Sequence, residues 1–275
     1  MRYLSIFLAC SIVACTESTA FVPEVRITTF GDSHVDFGIR GDSVVDVSYI
    51  SQDMLHVGVR SVHAKYSLAG KLQALSDGTL RINAVNHGIA GTTSGDTYRG
   101  DKEPNALAKW QGITRFEAEV LGLGGTTWDA GTGKPRIYAY RPSVKDFVYV
   151  TIGTMDPTIY IDSASTHNNI RTMAAMWKSA GLPASHFLLS TIPPNVVLKR
   201  DFPGKLSALN AIVHKVAEEE GITVIDVYAK TANGEDWIPG ATGDGIHGNE
   251  GVMDWLAGEI RHKMLELNGM LPTGG

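Results

Sequence analysis

Short β-branched runs alternate with amphipathic stretches along most of this chain. Val25-Arg26-Ile27-Thr28-Thr29 reads as a first core strand. Tyr66 to Leu75 sets Leu68, Leu72 and Leu75 on one helical face, with Gly78 ending the helix. Leu80 to Val85 alternates as a second strand and runs into the glycine-rich Asn86-His87-Gly88-Ile89-Ala90-Gly91. Trp110 to Leu121 predicts a helix, whereas Gly122 to Pro142 has no period and reads as an excursion. Phe147 to Ile152 is the clearest strand, stopped by Gly153-Thr154-Met155-Asp156-Pro157. A helix over Ile170–Ser179, a strand over Phe187–Ile192, a helix over Leu206–Glu220 and a strand over Ile222–Val227 follow. The polar, glycine-rich stretch Gly240–Asn249 then feeds a helix over Val252–Leu267. Such alternation predicts a parallel sheet covered by helices on both faces. No repeat, low-complexity tract or linker divides the chain, so residues 21–275 are expected to form one domain.

Composition narrows the setting. With 275 residues, 43% hydrophobic and 19% charged, the chain has material for a sizeable core. A net charge of −5 offers no basic footprint, so no nucleic-acid partner is expected. Met1 to Ala20 reads as an export signal: Arg2 is the positive start, Tyr3 to Ala14 the apolar core, and Ser18-Thr19-Ala20 the small-residue cleavage site. A rival site, Ile12-Val13-Ala14-Cys15, resembles a bacterial lipobox that would anchor the protein to a membrane through Cys15. The bland alternative is a buried N-terminal helix, because the apolar run is too short to span a bilayer comfortably. Export implies a periplasmic, secreted or lipid-anchored protein of a bacterial envelope. Both cysteines, Cys10 and Cys15, lie in that leader, so the mature chain would have no internal disulfide.

Candidate chemistry clusters at predicted strand ends. Phe30-Gly31-Asp32-Ser33 follows the first strand, where a serine on a tight turn can project above the carboxyl edge of a sheet. Gly91 follows the second strand, Gly153 to Asp156 the third, and Asp244-Gly245-Ile246-His247 precedes the final helix. A nucleophilic serine needs a base, and the base needs a partner that fixes its tautomer. Asp244 and His247, three apart, suit those two tasks. Each segment alone has an ordinary reading as a turn or a helix cap.

Taken in order, the four segments resemble the sequence blocks of the SGNH or GDSL-type esterase and lipase family. The blocks here are Gly31-Asp32-Ser33, Asn86-x-Gly88-x-x-Gly91-x-Thr93, Gly153-Thr154-Met155-Asp156 and Asp244-x-x-His247. The resemblance implies a three-layer α/β/α, flavodoxin-like fold and carboxylic ester hydrolysis without metal or cofactor. It assigns Ser33 as nucleophile, His247 as base and Asp244 as its orienter, with the amides of Ser33 and Gly91 as oxyanion donors. Its third block carries an asparagine as the remaining donor, and this chain has Met155 there. A thioether has no hydrogen to donate. Asn168 or Asn169 is a candidate to compensate. Acyl length and alcohol (a short-chain ester, an acetylated glycan, a lipid ester) are left open by the residues.

Two other classes compete. Asp32-x-His34 and Gly41-Asp42-x-x-Asp46 look like fragments of a calcineurin-type metallophosphoesterase. The gap between them is too short for the crossover of a dozen or more residues that parallel strands need. A weakened relative that binds glycans or lipids is the non-enzymatic alternative, since fold does not dictate function. Against it, Ser33, Asp244 and His247 all persist. Trp128, Tyr138, Tyr140 and Trp237 are candidate walls of the site, with core packing as the plainer role for each.

Overall fold

A computed structural model describes residues 22–36, 67–88, 92–96, 112–123, 127–128, 135–136, 140–159, 161–194, 196–232, 248 and 250–271. Among these, five parallel strands make one sheet: β1 (Glu24–Gly31), β2 (Arg81–Gly88), β5 (Phe147–Thr151), β6 (Phe187–Ser190) and β7 (Thr223–Ile225). Their spatial order is β2-β1-β5-β6-β7, and the two-residue strands β3 (Thr127–Trp128) and β4 (Pro135–Arg136) pair separately. The chain therefore winds outward to β2, then crosses back over β1 to continue on the other side. That reversal, between β1 and β5, is the switch point at which flavodoxin-like sheets open a crevice.

Alternation along the strands builds two cores. Val25 and Ile27 of β1, Phe147 and Tyr149 of β5 and Leu188 of β6 pack on one face. Helices α2 (Leu68–Ala74) and α8 (Glu250–Leu267) cover that face through Leu68, Leu72, Leu256 and Ile260. On the other face lie Phe30, Val148, Val150, Phe187 and Leu189. They meet α4 (Ser163–Ser179) and α6 (Lys205–Glu220) through Ile170, Met173, Trp177, Val213 and Val216. The three-layer α/β/α arrangement thus follows from period-two burial with apolar residues on both faces.

Several elements start or stop away from their expected places, for local reasons. Helix α2 begins after Ser67, whose hydroxyl caps it by accepting from the Gly70 amide. Helix α4 begins seven residues before Ile170, at Ser163, because Asp162 caps it through the Ser165 amide. The stretch expected as one helix to Leu121 is a short α3 (Gly112–Arg115) running into a π-turn, Phe116–Val120. Val227, expected to end a strand, instead opens α7 (Val227–Ala232), where the Asp226 carboxylate accepts from the Ala229 amide. Helices α1 (Ser33–Asp36) and α5 (Val196–Asp201) are short connectors. The leader, residues 1–20, lies outside the described residues.

One glycine sets the close approach at the switch point. Gly31 has φ +146°, and a Cβ there would stand 1.8 Å from the Thr151 carbonyl oxygen. Neither the backbone nor the contact tolerates a side chain. Gly31→Ala is expected to cost at least ~3 kcal/mol, combining strain with overlap. For a domain of this size that corresponds to a loss of roughly 6–12 °C in melting temperature. Calorimetry checks it, and an unchanged melting temperature would mean that the two strand ends can separate freely.

Candidate active site

Register sets the strands that lead into the first three predicted segments side by side. Gly31 is paired with Gly88 on β2 and with Thr151 on β5, so all three strands end in one row. The Asp32 amide donates to the Thr151 carbonyl at 3.3 Å, carrying the β1–β5 contact one residue further. Asp32 is fully buried, and its carboxylate accepts from the His34 amide at 3.0 Å. That bond turns the chain sharply, and Ser33 follows at once as the first residue of α1. The backbone of Ser33 accordingly sits at the carboxyl end of β1, beside the switch point. Asp32 serves as the brace of the turn.

The second segment is held by side chains behind it. Asn86 accepts from the Gly88 amide at 2.8 Å, closing a turn at the end of β2. Gly91 lies outside the described residues; Thr92, Thr93 and Ser94 beyond it are fully buried. Helix α3 sits directly on this loop. A Cβ on Gly112 would fall 2.1 Å from the Thr93 carbonyl oxygen, and the Gly112 amide donates to the Gly95 carbonyl at 3.2 Å. Only glycine permits that approach. Thr114 adds two bonds to Asp96, from its amide at 3.1 Å and its hydroxyl at 2.7 Å.

The third segment is tied to the second through Asp156. Its carboxylate, fully buried, accepts from the Ser94 amide at 2.9 Å, the Ser94 hydroxyl, and the Thr166 hydroxyl at 2.6 Å. Burial pushes this carboxyl above its ordinary range, and the bonds from Ser94 and Thr166 pull the other way. Asn169 extends the network by donating to the Ser94 hydroxyl at 3.0 Å. Asn168 lies exposed on α4. Met155 is half-buried on the turn after β5, and its carbonyl accepts from the Thr158 amide at 3.0 Å and hydroxyl at 2.6 Å. Next to it the Thr154 hydroxyl is buried and has no hydrogen-bond partner among the described residues.

An ion cluster that the sequence reading overlooked lies under the second segment. Arg115 and Glu119 are both buried, joined by Nε to Oε1 at 3.0 Å and Nη2 to Oε2 at 2.9 Å. His87 Nδ1 stands 3.5 Å from the same carboxylate. Burial alone would raise Glu119, but the Arg115 charge, with hydrogen bonds from His87 and Arg115, brings it down to about 2. Its only trace in the sequence is an Arg and a Glu at i and i+4 of a helical stretch, a spacing that solvated pairs share.

Asp244 and His247 lie outside the described residues, as do Tyr138, Trp237, Asp42 and Asp46. Tyr140, a candidate wall, is exposed; its ring lies 3.5 Å below the Arg26 guanidinium and its hydroxyl donates to Asp146. His167 and His214 pair with Glu219 and Asp226 at the surface. Among the described residues no group of three or more His, Cys, Asp or Glu is arranged to hold a metal ion.

Comparison with known proteins agrees with this fold. A family model for GDSL-like lipases and acylhydrolases matches residues 29–253, spanning all four segments. No curated protein matches the sequence. Among solved structures, a member of the lipolytic protein G-D-S-L family from Veillonella parvula is 16% identical. It superposes with a TM-score of 0.54 over 90% of this chain and 100% of that one. The acetylxylan esterase Axe2 from Geobacillus stearothermophilus is 17% identical, with a TM-score of 0.52 over 87% of this chain and 93% of its own. The psychrotrophic esterase EstA from a Pseudoalteromonas species is 14% identical, with a TM-score of 0.53 over 89% and 98%.

The Glu119 carboxylate generates an acid-stability prediction. Its folded pKa of about 2 lies below the ordinary 4.5. The stability it contributes is therefore complete above 4.5 and lost as pH falls toward 2. The lost amount is roughly 3 kcal/mol. Glu119→Gln should destabilise by about 3–5 kcal/mol at neutral pH, since it leaves Arg115 buried without a counter-charge. Urea unfolding of both forms across the acid range should show that difference shrinking as pH falls. A difference independent of pH would mean that Glu119 is not ionised in the folded protein.

Proposed function

Because the chain belongs to the GDSL-like lipase/acylhydrolase family, and is thus an ester hydrolase, we propose that it is an exported serine esterase acting through an acyl-enzyme. The observation that carries the reading is the row Gly88–Gly31–Thr151, which sets the Ser33 turn between the second and third segments at the switch point. Asp244 and His247 enter through the family's fourth block. In this reading the Ser33 hydroxyl oxygen attacks the ester carbonyl carbon while His247 takes its proton and Asp244 holds the imidazolium. The carbonyl oxygen becomes an oxyanion facing the Ser33 and Gly91 amides. As the carbon–oxygen bond to the alcohol breaks, His247 returns the proton to the departing oxygen. Water then attacks the acyl-serine by the same proton path and releases the acid. No metal or cofactor takes part in these steps.

The substrate class is a carboxylic ester: a short-chain ester, an acetylated glycan or a lipid ester. The chain would leave the cytoplasm through its leader, becoming periplasmic, secreted or lipid-anchored at Cys15. Met155 favours one second reading, a catalytically weakened protein that uses this fold to bind glycans or lipids. Losing one oxyanion donor typically costs about 10²–10³ in rate, which weakens turnover without removing the nucleophile.

EstA has been solved inhibited by monoethylphosphonate, and an activated ethylphosphonate is a suitable probe here. On the full chain produced with its leader in a bacterial host, intact mass should show one phosphonyl adduct, located by peptide mapping at Ser33. The same spectrum should show an N-terminus at lipidated Cys15 or near Phe21. Ser33→Ala should take no label and turn over no activated acetyl ester. Turnover by that variant would refute the nucleophile, and an uncleaved Met1 chain would refute export.

Met155→Asn probes the departure from the family block. An added amide near the oxyanion should raise kcat about tenfold to a thousandfold while KM stays nearly constant. If the partnerless Thr154 hydroxyl already serves as third donor, kcat will not rise and Thr154→Val will lower it. Steady-state kinetics on acetyl and longer acyl esters distinguishes the two and ranks the chain lengths accepted.

A further inference from the structure

We infer that the amino edge of the sheet beside β1 is a membrane-docking face, on which the lipid-anchored protein rests with its Ser33 turn directed away from the bilayer. The inference rests on the export reading above and takes its lipid-anchored branch at Cys15.

Among the described residues, Leu123, Tyr140 and Val144 are the large apolar side chains that stand exposed. Single exposed apolar residues need no explanation, but these three gather beside one edge. Residues 140–146 lead straight into β5, whose first residue, Phe147, is paired with Ile27 of β1. Gly122 has φ +61°, and a Cβ on it would fall 2.0 Å from the Tyr140 carbonyl oxygen. That approach sets Leu123 beside Tyr140. Val144 lies in the turn that the Asp146 amide closes by donating to the Ser143 carbonyl at 3.0 Å.

The tyrosine is mounted with its polar tip inward. A surface tyrosine ordinarily keeps its hydroxyl in water. Here the hydroxyl donates to Asp146, a buried carboxylate that also accepts from the Ser143 amide at 2.7 Å. The half-buried Arg26 guanidinium stacks on the ring at 3.5 Å. Further basic side chains come from the same stretch, Arg141 and Lys145, both exposed. Of the acidic groups beside it, Asp146 is buried and Glu24 lies 3.9 Å from Arg81. Aromatic and aliphatic side chains flanked by Lys and Arg suit an anionic phospholipid interface.

The chain enters this same edge from the leader. Eight residues separate Cys15 from Glu24 at the start of β1, a reach of at most about 30 Å when extended. A lipid on Cys15 therefore keeps the amino edge close to the bilayer. A lipid chain and a basic apolar patch are two signals that together give stable, oriented anchoring. At the other end of β1, eight residues and about 26 Å away, lies the Ser33 turn. Docking by the amino edge thus directs the esterase site to the aqueous side. It would meet dissolved or polymer-borne esters, such as an acetylated glycan, and not the lipids of the bilayer that carries it.

The test uses the full chain made with its leader in a bacterial host and reconstituted in vesicles of phosphatidylethanolamine with phosphatidylglycerol. Intact mass reads the lipid on Cys15. Cys10 leaves with the leader, so Val144→Cys supplies the sole free thiol for an environment-sensitive fluorophore. Asp201→Cys, exposed on α5 between the carboxyl end of β6 and the start of α6, is the reference position. Expected is a blue-shifted emission at 144, quenched about twofold or more by a nitroxide lipid, since a docked side chain enters the headgroup boundary by roughly 5–10 Å. The label at 201 should stay water-like and unquenched. Arg141→Glu/Lys145→Glu should lower the docked-to-undocked ratio at 144 by about 25-fold or more, each basic residue being worth about fivefold at an anionic surface. An unshifted, unquenched label at 144 in lipidated protein overturns the inference, as does equal quenching at 144 and 201. Dimers in detergent that Val144→Asp dissolves would give the patch to a second copy and overturn it too. An N-terminus near Phe21 removes the anchor and the inference with it. Absence of ester turnover refutes the esterase reading instead, and the label at 144 still decides docking.

Discussion

Everything at the functional edge of this protein depends on how closely β1 approaches β5. A single missing Cβ, at Gly31, lets the Thr151 carbonyl come to a distance that no other residue would allow. The Asp32 amide then bonds to that carbonyl, and the Asp32 side chain turns the chain into α1. Were the strands held further apart, the serine turn would lift away from the glycine-bearing loops on either side. The parallel sheet makes this economical in sequence terms. Strand ends of a parallel sheet share one edge, so residues far apart in the chain need only end their strands in register.

Loops at such an edge carry many backbone polar groups out of reach of water, and each needs a partner. Here two buried charges supply them. Asp156 gathers the Ser94 amide and hydroxyl together with the Thr166 hydroxyl. Arg115 gathers the His87 carbonyl and the Thr92 hydroxyl. One is an acceptor serving donors, the other a donor serving acceptors. Isolated, each would be costly to bury. Arg115 is offset by Glu119, whereas Asp156 relies on three hydrogen bonds and is left with a raised pKa. Residues 92–96 are thus held by polar satisfaction more than by apolar packing.

The sheet and its helices were legible because their signals are periodic. Alternation in β1 and β5 and the Leu68–Leu72 face of α2 appear in the structure with ends shifted by a few residues. What shifted them were caps, Ser67 and Asp162, whose single hydrogen bonds carry no period. The π-turn at Phe116–Val120 escaped for a different reason: it keeps helical composition while changing the bond from i+4 to i+5, as in the Leu121 amide to Phe116 carbonyl contact. Of the site, Gly31, Asp32 and Asp156 could be read from short motifs. The Arg115–Glu119 pair could not, because in sequence it looks like any solvated i,i+4 pair. Burial turns it into a structural centre, and burial is a property of tertiary packing.

Met155 shows how such a site can vary without collapsing. The turn that bears it is fixed by its carbonyl, which accepts from the Thr158 amide and hydroxyl, and by Asp156 one residue on. Neither bond involves the thioether. Asp156, Ser94 and Asn169 hold the third segment to the second without it as well. Side-chain identity at this position is therefore decoupled from the backbone geometry around it. In the proposed reaction a donor would be absent here while the turn keeps its path, so a change at this position would act on transition-state stabilisation and on pocket shape and spare the fold. The opposite holds at Gly31 and Gly112, where the backbone itself makes the contact and any side chain would force the strand or the helix away. Positions that define the edge tolerate nothing, and positions that only decorate it are open to change in chemistry.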